Sequence, residues 1–252
     1  MLRFSPPARI NVIDVYDDRA QAWWDFTDPI FEPLHAMVPA RAAYLDRHGL
    51  AVDGRVVVDV GCGGGYVSGL LAARGARVLG VDLARNALLA GRAYHAAEPW
   101  ATREAFAQAS ATRLPVADGS VDFVSCTDVL VHVPVEAGGP RAALAEVARV
   151  LKPGGALWFS TINSTWLARF VLITLGEDVL RFVHKGTHDP STFLSPTTMR
   201  ALLHDVGLAL VAAEGVGPVG PARGHRGRIT LKMGRLPTTQ VMWQGHAIRK
   251  PS

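Results

Sequence analysis

Cysteine is almost absent: the 252 residues carry two, Cys62 and Cys126. Each sits beside an apolar strand, which excludes a disulfide-stapled secreted scaffold and suggests buried free thiols in a reducing compartment. Cys62 lies near a helix start, a place that can lower a thiol pKa, although a space-filling role is the expectation. No apolar stretch reaches the roughly 20 residues needed to span a bilayer. Met1-Leu2-Arg3-Phe4-Ser5-Pro6-Pro7 lacks the apolar run of a signal peptide, so a cytoplasmic protein is expected. Charged residues are sparse at 19% against 49% apolar, which argues against disorder and allows a large core. Large blocks of like charge are missing too. The net charge of +4 is spread along the chain except for a cluster from Arg223 to Arg228, read as a solvated loop. There is no internal repeat and no linker, so residues 1–252 are expected to form a single domain.

What is present is organised around Val56-Val57-Val58-Asp59-Val60-Gly61-Cys62-Gly63-Gly64-Gly65. The β-branched run reads as a strand buried on both faces. Four glycines in five positions then break it, and Tyr66 to Arg74 follows with helical spacing, ended by Gly75. A glycine turn lets backbone approach a ligand closely, and the free N–H groups of the helix start attract a negative group. Arg77-Val78-Leu79-Gly80-Val81-Asp82 is the next strand. Its terminal Asp82 falls about 20 residues after the glycines, where an α/β nucleotide site sets an acid on ribose hydroxyls. No basic residue immediately follows, so a 2′-phosphate would be poorly received. The alternative is a glycine turn used only for packing.

Helices are expected over Asp17–Phe26, with Trp23 and Trp24 either in the core or at the substrate, and from Pro39 to near Gly49. Together they form an N-terminal helical cap over about 15–50. After Asp82 come a helix over 86–97, a strand over 105–109 and the loop Ser110-Ala111-Thr112-Arg113. A strand follows over 121–126, then a helix over 141–151 stopped by Lys152-Pro153-Gly154-Gly155, and a strand over 156–161. This alternation argues for a parallel sheet with helices on both faces. Residues 163–190 interrupt it as an apolar inserted lid. A helix starting at Ser195-Pro196 ends at Gly207, Leu208–Val216 is strand-like, Gly217–Gly227 reads as a loop, and a last strand lies near 239–246.

Asp59 to Gly65 resembles motif I of class I S-adenosylmethionine (SAM)-dependent methyltransferases. With Trp23-Trp24-Asp25, Pro33-Leu34-His35, Pro39 through Arg41, His132-Val133-Pro134, Lys152 to Gly155, Phe159-Ser160-Thr161 and Lys185-Gly186-Thr187-His188-Asp189, the chain resembles the ubiquinone-biosynthesis O-methyltransferases. The resemblance runs from about Tyr16 to the C-terminus. It implies an α/β class I (Rossmann-like) fold with a seven-stranded sheet, helices on both faces and the last strand antiparallel. It implies SAM as cofactor, held at Arg41, at Asp59, Gly61 and Gly63 of motif I, at Asp82, at Ala111 and Thr112 near the adenine, and at Thr127. The implied reaction is methyl transfer to a phenolic or catechol oxygen of a small quinone-like or polyketide-like acceptor. Alternatives are a methyltransferase acting on carbon or nitrogen, or a SAM-binding subunit without chemistry. Nucleic acid is not an expected partner, because Thr127-Asp128-Val129-Leu130 lacks the Asn/Asp-Pro-Pro-aromatic pattern of base methyltransferases and no RNA-binding domain is appended.

A phenol must lose its proton, to a base or with a metal's help. Asp128 and His132 are four apart, so on a helical turn they would share a face and could hold one divalent ion, or His132 could act at the acceptor with Asp128 orienting it. The family has an acid where this chain has Val131, which weakens a metal site. His188 is a further imidazole with an ordinary pKa of about 6.5, suited to a base. Both histidines could instead only hydrogen-bond loops. The apolar run from Trp166 to Lys185 is either an ordinary lid or a peripheral contact with the inner face of a membrane.

Overall fold

A computed structural model describes residues 12–179, 186–227 and 229–251. Three helices precede the sheet: α1 (Val12–Asp18), α2 (Phe31–Ala36) and α3 (Val38–Arg47). Then follow β1 (Val56–Val60), α4 (Tyr66–Ala73), β2 (Arg77–Asp82), α5 (Arg85–His95), β3 (Glu104–Gln108), β4 (Val121–Thr127), α6 (Gly139–Val150) and β5 (Leu151–Ile162). The chain continues through α7 (Trp166–Arg169), wide π-type turns over Phe170–Val179, α8 (Pro196–Asp205), β6 (Leu208–Arg223), β7 (Ile229–Leu236) and β8 (Met242–Arg249).

The strands form one sheet in the order β3-β2-β1-β4-β5-β8-β6-β7. The first five are mutually parallel, and β8 runs antiparallel to both β5 and β6. Alternate residues of β1 serve opposite faces. Val57 belongs to a buried cluster with Tyr44, Leu71, Phe123 and Trp158, whereas Val58 belongs to another with Val124, Leu144, Leu157 and Met199. Burial on both sides explains why the strand reads as an unbroken apolar run. Each such side chain contributes about 1.5–3 kcal/mol on leaving water. Gly75 (φ +92) ends α4, Gly207 (φ +81) ends α8, and the Ser195 hydroxyl caps α8 by accepting from the Thr198 N–H at 3.1 Å.

Three expectations are corrected. The sheet has eight strands among the described residues rather than seven, because Gly217–Gly227 is not a loop. Its first part extends β6, which pairs antiparallel with β7 over 215–223. Glycine and proline are tolerated there because β6 pairs with β8 only as far as Val216, which leaves its later residues open on that side, and the register slips between Pro218 and Gly220. Arg228 lies outside the described residues. The expected helix over Asp17–Phe26 stops at Asp18 and gives way to a single tight turn over Ala20–Ala22, which drives Trp23 inward. The last strand lies three residues later than expected, at Met242–Arg249.

No helix among the described residues is long and apolar enough to cross a membrane. Leu180 to Lys185, part of the apolar stretch, lies outside the described residues, as do Met1 to Asn11.

Candidate active site

The carboxyl ends of the parallel strands share one edge, where an open α/β sheet places its ligands. There β1 ends in a turn set by Gly61 (φ +65) and Gly63 (φ +52), values in the region that strongly favours glycine. The Gly61 and Cys62 N–H groups both donate to the Val81 carbonyl, at 2.7 and 3.1 Å. A Cβ on Gly63 or Gly64 would collide with the Trp23 ring, and one on Gly61 with Val129. Trp23 is buried against Phe31 and Tyr66, so it is both core and roof of the turn; Trp24 stacks on Tyr94 at 3.7 Å. Cys62 is buried, and burial pushes its thiol up, overriding any pull from the α4 N-terminus.

Asp82 sits beside this turn. One carboxylate oxygen accepts from the Gly63 N–H and the other from the Ala84 N–H, both at 2.8 Å. Burial raises its pKa despite these donors. The Tyr16 hydroxyl, which sequence reasoning passed over, is pushed up to about 12 by burial, then by Asp128 and Asp82, so it lies within the field of both acids. Asp59 is buried beneath the turn and accepts from the Ser68 hydroxyl at 2.8 Å; burial raises its pKa to about 6. Its side chain ties β1 to α4. Ala111 and Thr112 lie half-buried in the loop after β3, held by Ser110: the Thr112 N–H donates to the Ser110 hydroxyl at 3.2 Å. Thr127 is half-buried at the end of β4.

Near the end of β4, Arg41 is 4% exposed and pairs through Nη2 with Asp128. The second Asp128 oxygen accepts from the Ser160 hydroxyl at 2.7 Å. Arg41 Nε is buried without a partner among the described residues, so it has donor capacity to spare.

The Asp128–His132 pair is not assembled as expected. Asp128 has φ +61, and Leu130–His132 is a single tight turn rather than an α-helix, so the helical geometry that the four-residue spacing assumes is absent. Asp128 is committed to Arg41 and Ser160. Val131, at the position of the family's acid, packs with Ile162, Ala168 and Phe193. Among the described residues no three metal-binding side chains converge. A guanidinium on the carboxylate and an apolar neighbour make a donor set that fits a divalent ion poorly.

His132 lies instead near His188, with ring centroids 5.9 Å apart. Burial first, then His188, lowers the His132 pKa from 6.5 to about 4, against an opposing pull from Asp128. His188 Nδ1 lies 2.8 Å from an oxygen of Glu177, a buried acid with 3% exposure. Sequence reasoning missed Glu177; the available signal was a carboxylate inside an apolar run, nine residues before Gly186. Lys185, the first residue of that motif, lies outside the described residues.

SAM suits these groups. Its ribose hydroxyls need an acceptor such as Asp82, and its carboxylate needs a buried donor such as Arg41 Nε. Residues 58–159 match the methyltransferase domain family. The fold is that of magnesium protoporphyrin IX methyltransferase from Synechocystis PCC 6803 with bound SAH: TM-score 0.65, 21% identity, covering 95% of this chain and 98% of that one. Fold and cofactor end together define a class I SAM-dependent methyltransferase. The ubiquinone biosynthesis O-methyltransferase of Methylococcus capsulatus is 37% identical over 211 residues, 82% of this chain and 85% of the relative. That of Chromobacterium violaceum is 35% identical over 208 residues, 81% of this chain and 85% of the relative. The chain belongs to the ubiquinone biosynthesis O-methyltransferase family, and it is a SAM-dependent O-methyltransferase.

Proposed function

We propose that the acceptor is a catechol or related phenol of quinone type, methylated on oxygen at the end of β4. The observation that supports this reading is the pair of imidazoles, His132 and His188, 5.9 Å apart, with His132 in the turn just past the end of β4. SAM supplies an electrophilic methyl group there. The chain's residues do the rest. Arg41 and Asp128 present one cation and one anion to the zwitterionic amino-acid end of SAM, Asp82 takes the ribose, and the loop at Ala111 and Thr112 borders the adenine. Gly61, Gly63 and Thr127 line the cleft through main chain, and Asp59 shapes the turn from below.

The phenol O–H gives its proton to His188. The oxygen lone pair then forms the bond to the methyl carbon as the carbon–sulfur bond breaks, its electron pair staying on sulfur. His132, with a pKa of about 4, is neutral near pH 7 and a weak base; it orients the hydroxyl by hydrogen bonding. Holding oxygen, carbon and sulfur in line removes several kcal/mol of barrier. In this reading the helices over about 15–50 are a cap on the cofactor end and residues 163–190 a lid on the acceptor end. A peripheral membrane contact through 166–185 is part of the proposal. It is supported by Trp166, 75% exposed, and Phe170, 45% exposed, while Leu172 and Ile173 pack inward on Val131 and Phe193.

The test is turnover of methyl-labelled SAM with a panel of catechols carrying no tail, a short prenyl tail or a long one, beside carbon and nitrogen acceptors. Label on catechol oxygen is the expected result. Label only on carbon or nitrogen, or none on any acceptor, would overturn the reading.

A further inference from the structure

The motif Gly186-Thr187-His188 closes on one side chain. Gly186 has φ +84, a conformation that suits glycine. That bend lets two N–H groups meet one carboxylate: Gly186 N–H donates to Glu177 Oε2 at 2.7 Å, and His188 N–H to Oε1 at 3.0 Å. The His188 ring then adds Nδ1, 2.8 Å from the same Oε1. Glu177 thus gathers three donors, and backbone and ring of His188 are fixed by one acid. A carboxylate has no proton to give, so Nδ1 carries the hydrogen and Nε2, on the opposite edge, carries the lone pair. The His132 ring lies 5.9 Å from that of His188.

We infer that Glu177 is a positioning residue for methyl transfer: it selects the His188 tautomer whose Nε2 receives the acceptor proton and holds that ring toward the acceptor. The inference rests on the proposed phenolic acceptor. The logic is that of a buried acid steadying an imidazole base, where losing the acid leaves the geometry of the other groups intact but admits the wrong tautomer. It also accounts for an acid buried beside the apolar residues of this segment.

The experiment uses the full chain as wild type, E177Q, H188A and the double variant. Rates are measured with SAM and a short-tailed catechol, SAM affinity by calorimetry, and histidine tautomers by 15N NMR on histidine-labelled protein. E177Q is expected to lower kcat at least tenfold, with KM for the catechol and Kd for SAM within twofold. Adding E177Q to H188A is expected to cost nothing further, because the two act as a unit. The His188 signals are expected to pass from one Nδ1–H tautomer to a mixture. Glu177 as a mere clasp of the lid would instead raise KM or Kd, or multiply with H188A, and either result overturns the inference. Where the wild type labels no catechol, the acceptor reading fails and the spectrum alone decides: a single Nδ1–H tautomer lost in E177Q sustains the positioning of His188, and a mixture already present in the wild type refutes it.

Discussion

The two ends of the cleft are made differently. At the cofactor end, main chain does the shaping. Gly61 and Cys62 donate to Val81, Gly63 donates to Asp82, and the separations are short, 19 residues for the last. At the other end, where the amino-acid part of SAM and the acceptor are proposed to meet, side chains arrive from far apart. Arg41 and Asp128 are 87 residues apart, Ser160 and Asp128 are 32 apart, and His188 meets the Glu177 side chain. A site made of backbone tolerates changes in side chains but not in glycines. A site made of side chains can change acceptor with few substitutions while the cofactor end stays as it is.

The largest expected effect breaks the backbone end. Gly63→Ala strains a residue at φ +52 and displaces the Trp23 ring. A stability loss of about 2–4 kcal/mol is expected, from backbone strain and overpacking together. SAM affinity is expected to fall at least tenfold; thermal unfolding and calorimetry would show it, and an unperturbed variant would mean that the turn is looser than the contrast between the two ends requires. Next comes Asp82→Ala, expected to weaken SAM binding by about 1–3 kcal/mol, the scale of a lost charged acceptor. Unchanged SAM affinity in a folded variant would remove Asp82 from the ribose.

The acceptor end is sharpened by pH. His132 titrates near 4 in the folded chain against an ordinary 6.5. Between those values the unfolded chain takes up a proton that the folded chain refuses. Stability is therefore full above about pH 6.5 and falls as pH drops toward 4, by on the order of 2 kcal/mol from this group. Denaturant unfolding across this range is expected to slope less in His132→Gln; an identical slope would show that His132 is not desolvated. The smallest effect is Trp166→Ala. Stability is expected to stay within about 0.5 kcal/mol, as for other exposed sites, and turnover of a tailless catechol is expected to be unchanged. Flotation with anionic vesicles is expected to weaken, and equal flotation of both proteins would discard the membrane contact through Trp166.

The same contrast decides what could be read from sequence. Glycine spacing and the strand that precedes it encode the turn and Asp82 directly, since backbone conformation is specified locally. Arg41 was accessible only through family resemblance, because nothing around residue 41 announces a partner at 128. The turn between Asp128 and His132 was not legible because a positive φ at an aspartate leaves no mark in the sequence, and a four-residue spacing implies a shared face only on a helix. The β6–β7 hairpin was hidden by glycines and prolines that signal loops in general but are admissible on an edge. Glu177 was hidden because its carboxylate finds its donors only after the chain has turned back at Gly186.

The placement of β8 also dictates an order of assembly. It lies between β5 and β6, bonded to both, although it follows β6 and β7 in the chain. The β6–β7 hairpin can close on itself, but it has no seat in the sheet until residues 242–249 have been made and have zipped onto β5. During synthesis the cofactor end, complete once β5 has emerged, can therefore acquire its shape first. The hairpin is the last part to dock, and it brings its contacts to α2 and α3 with it. Loop closure across such separations is slow relative to local pairing. A chain stopped before β8 would keep the glycine turn's local partners and leave the outer hairpin adrift, a half-built enzyme with a place for the donor and no finished wall beside it.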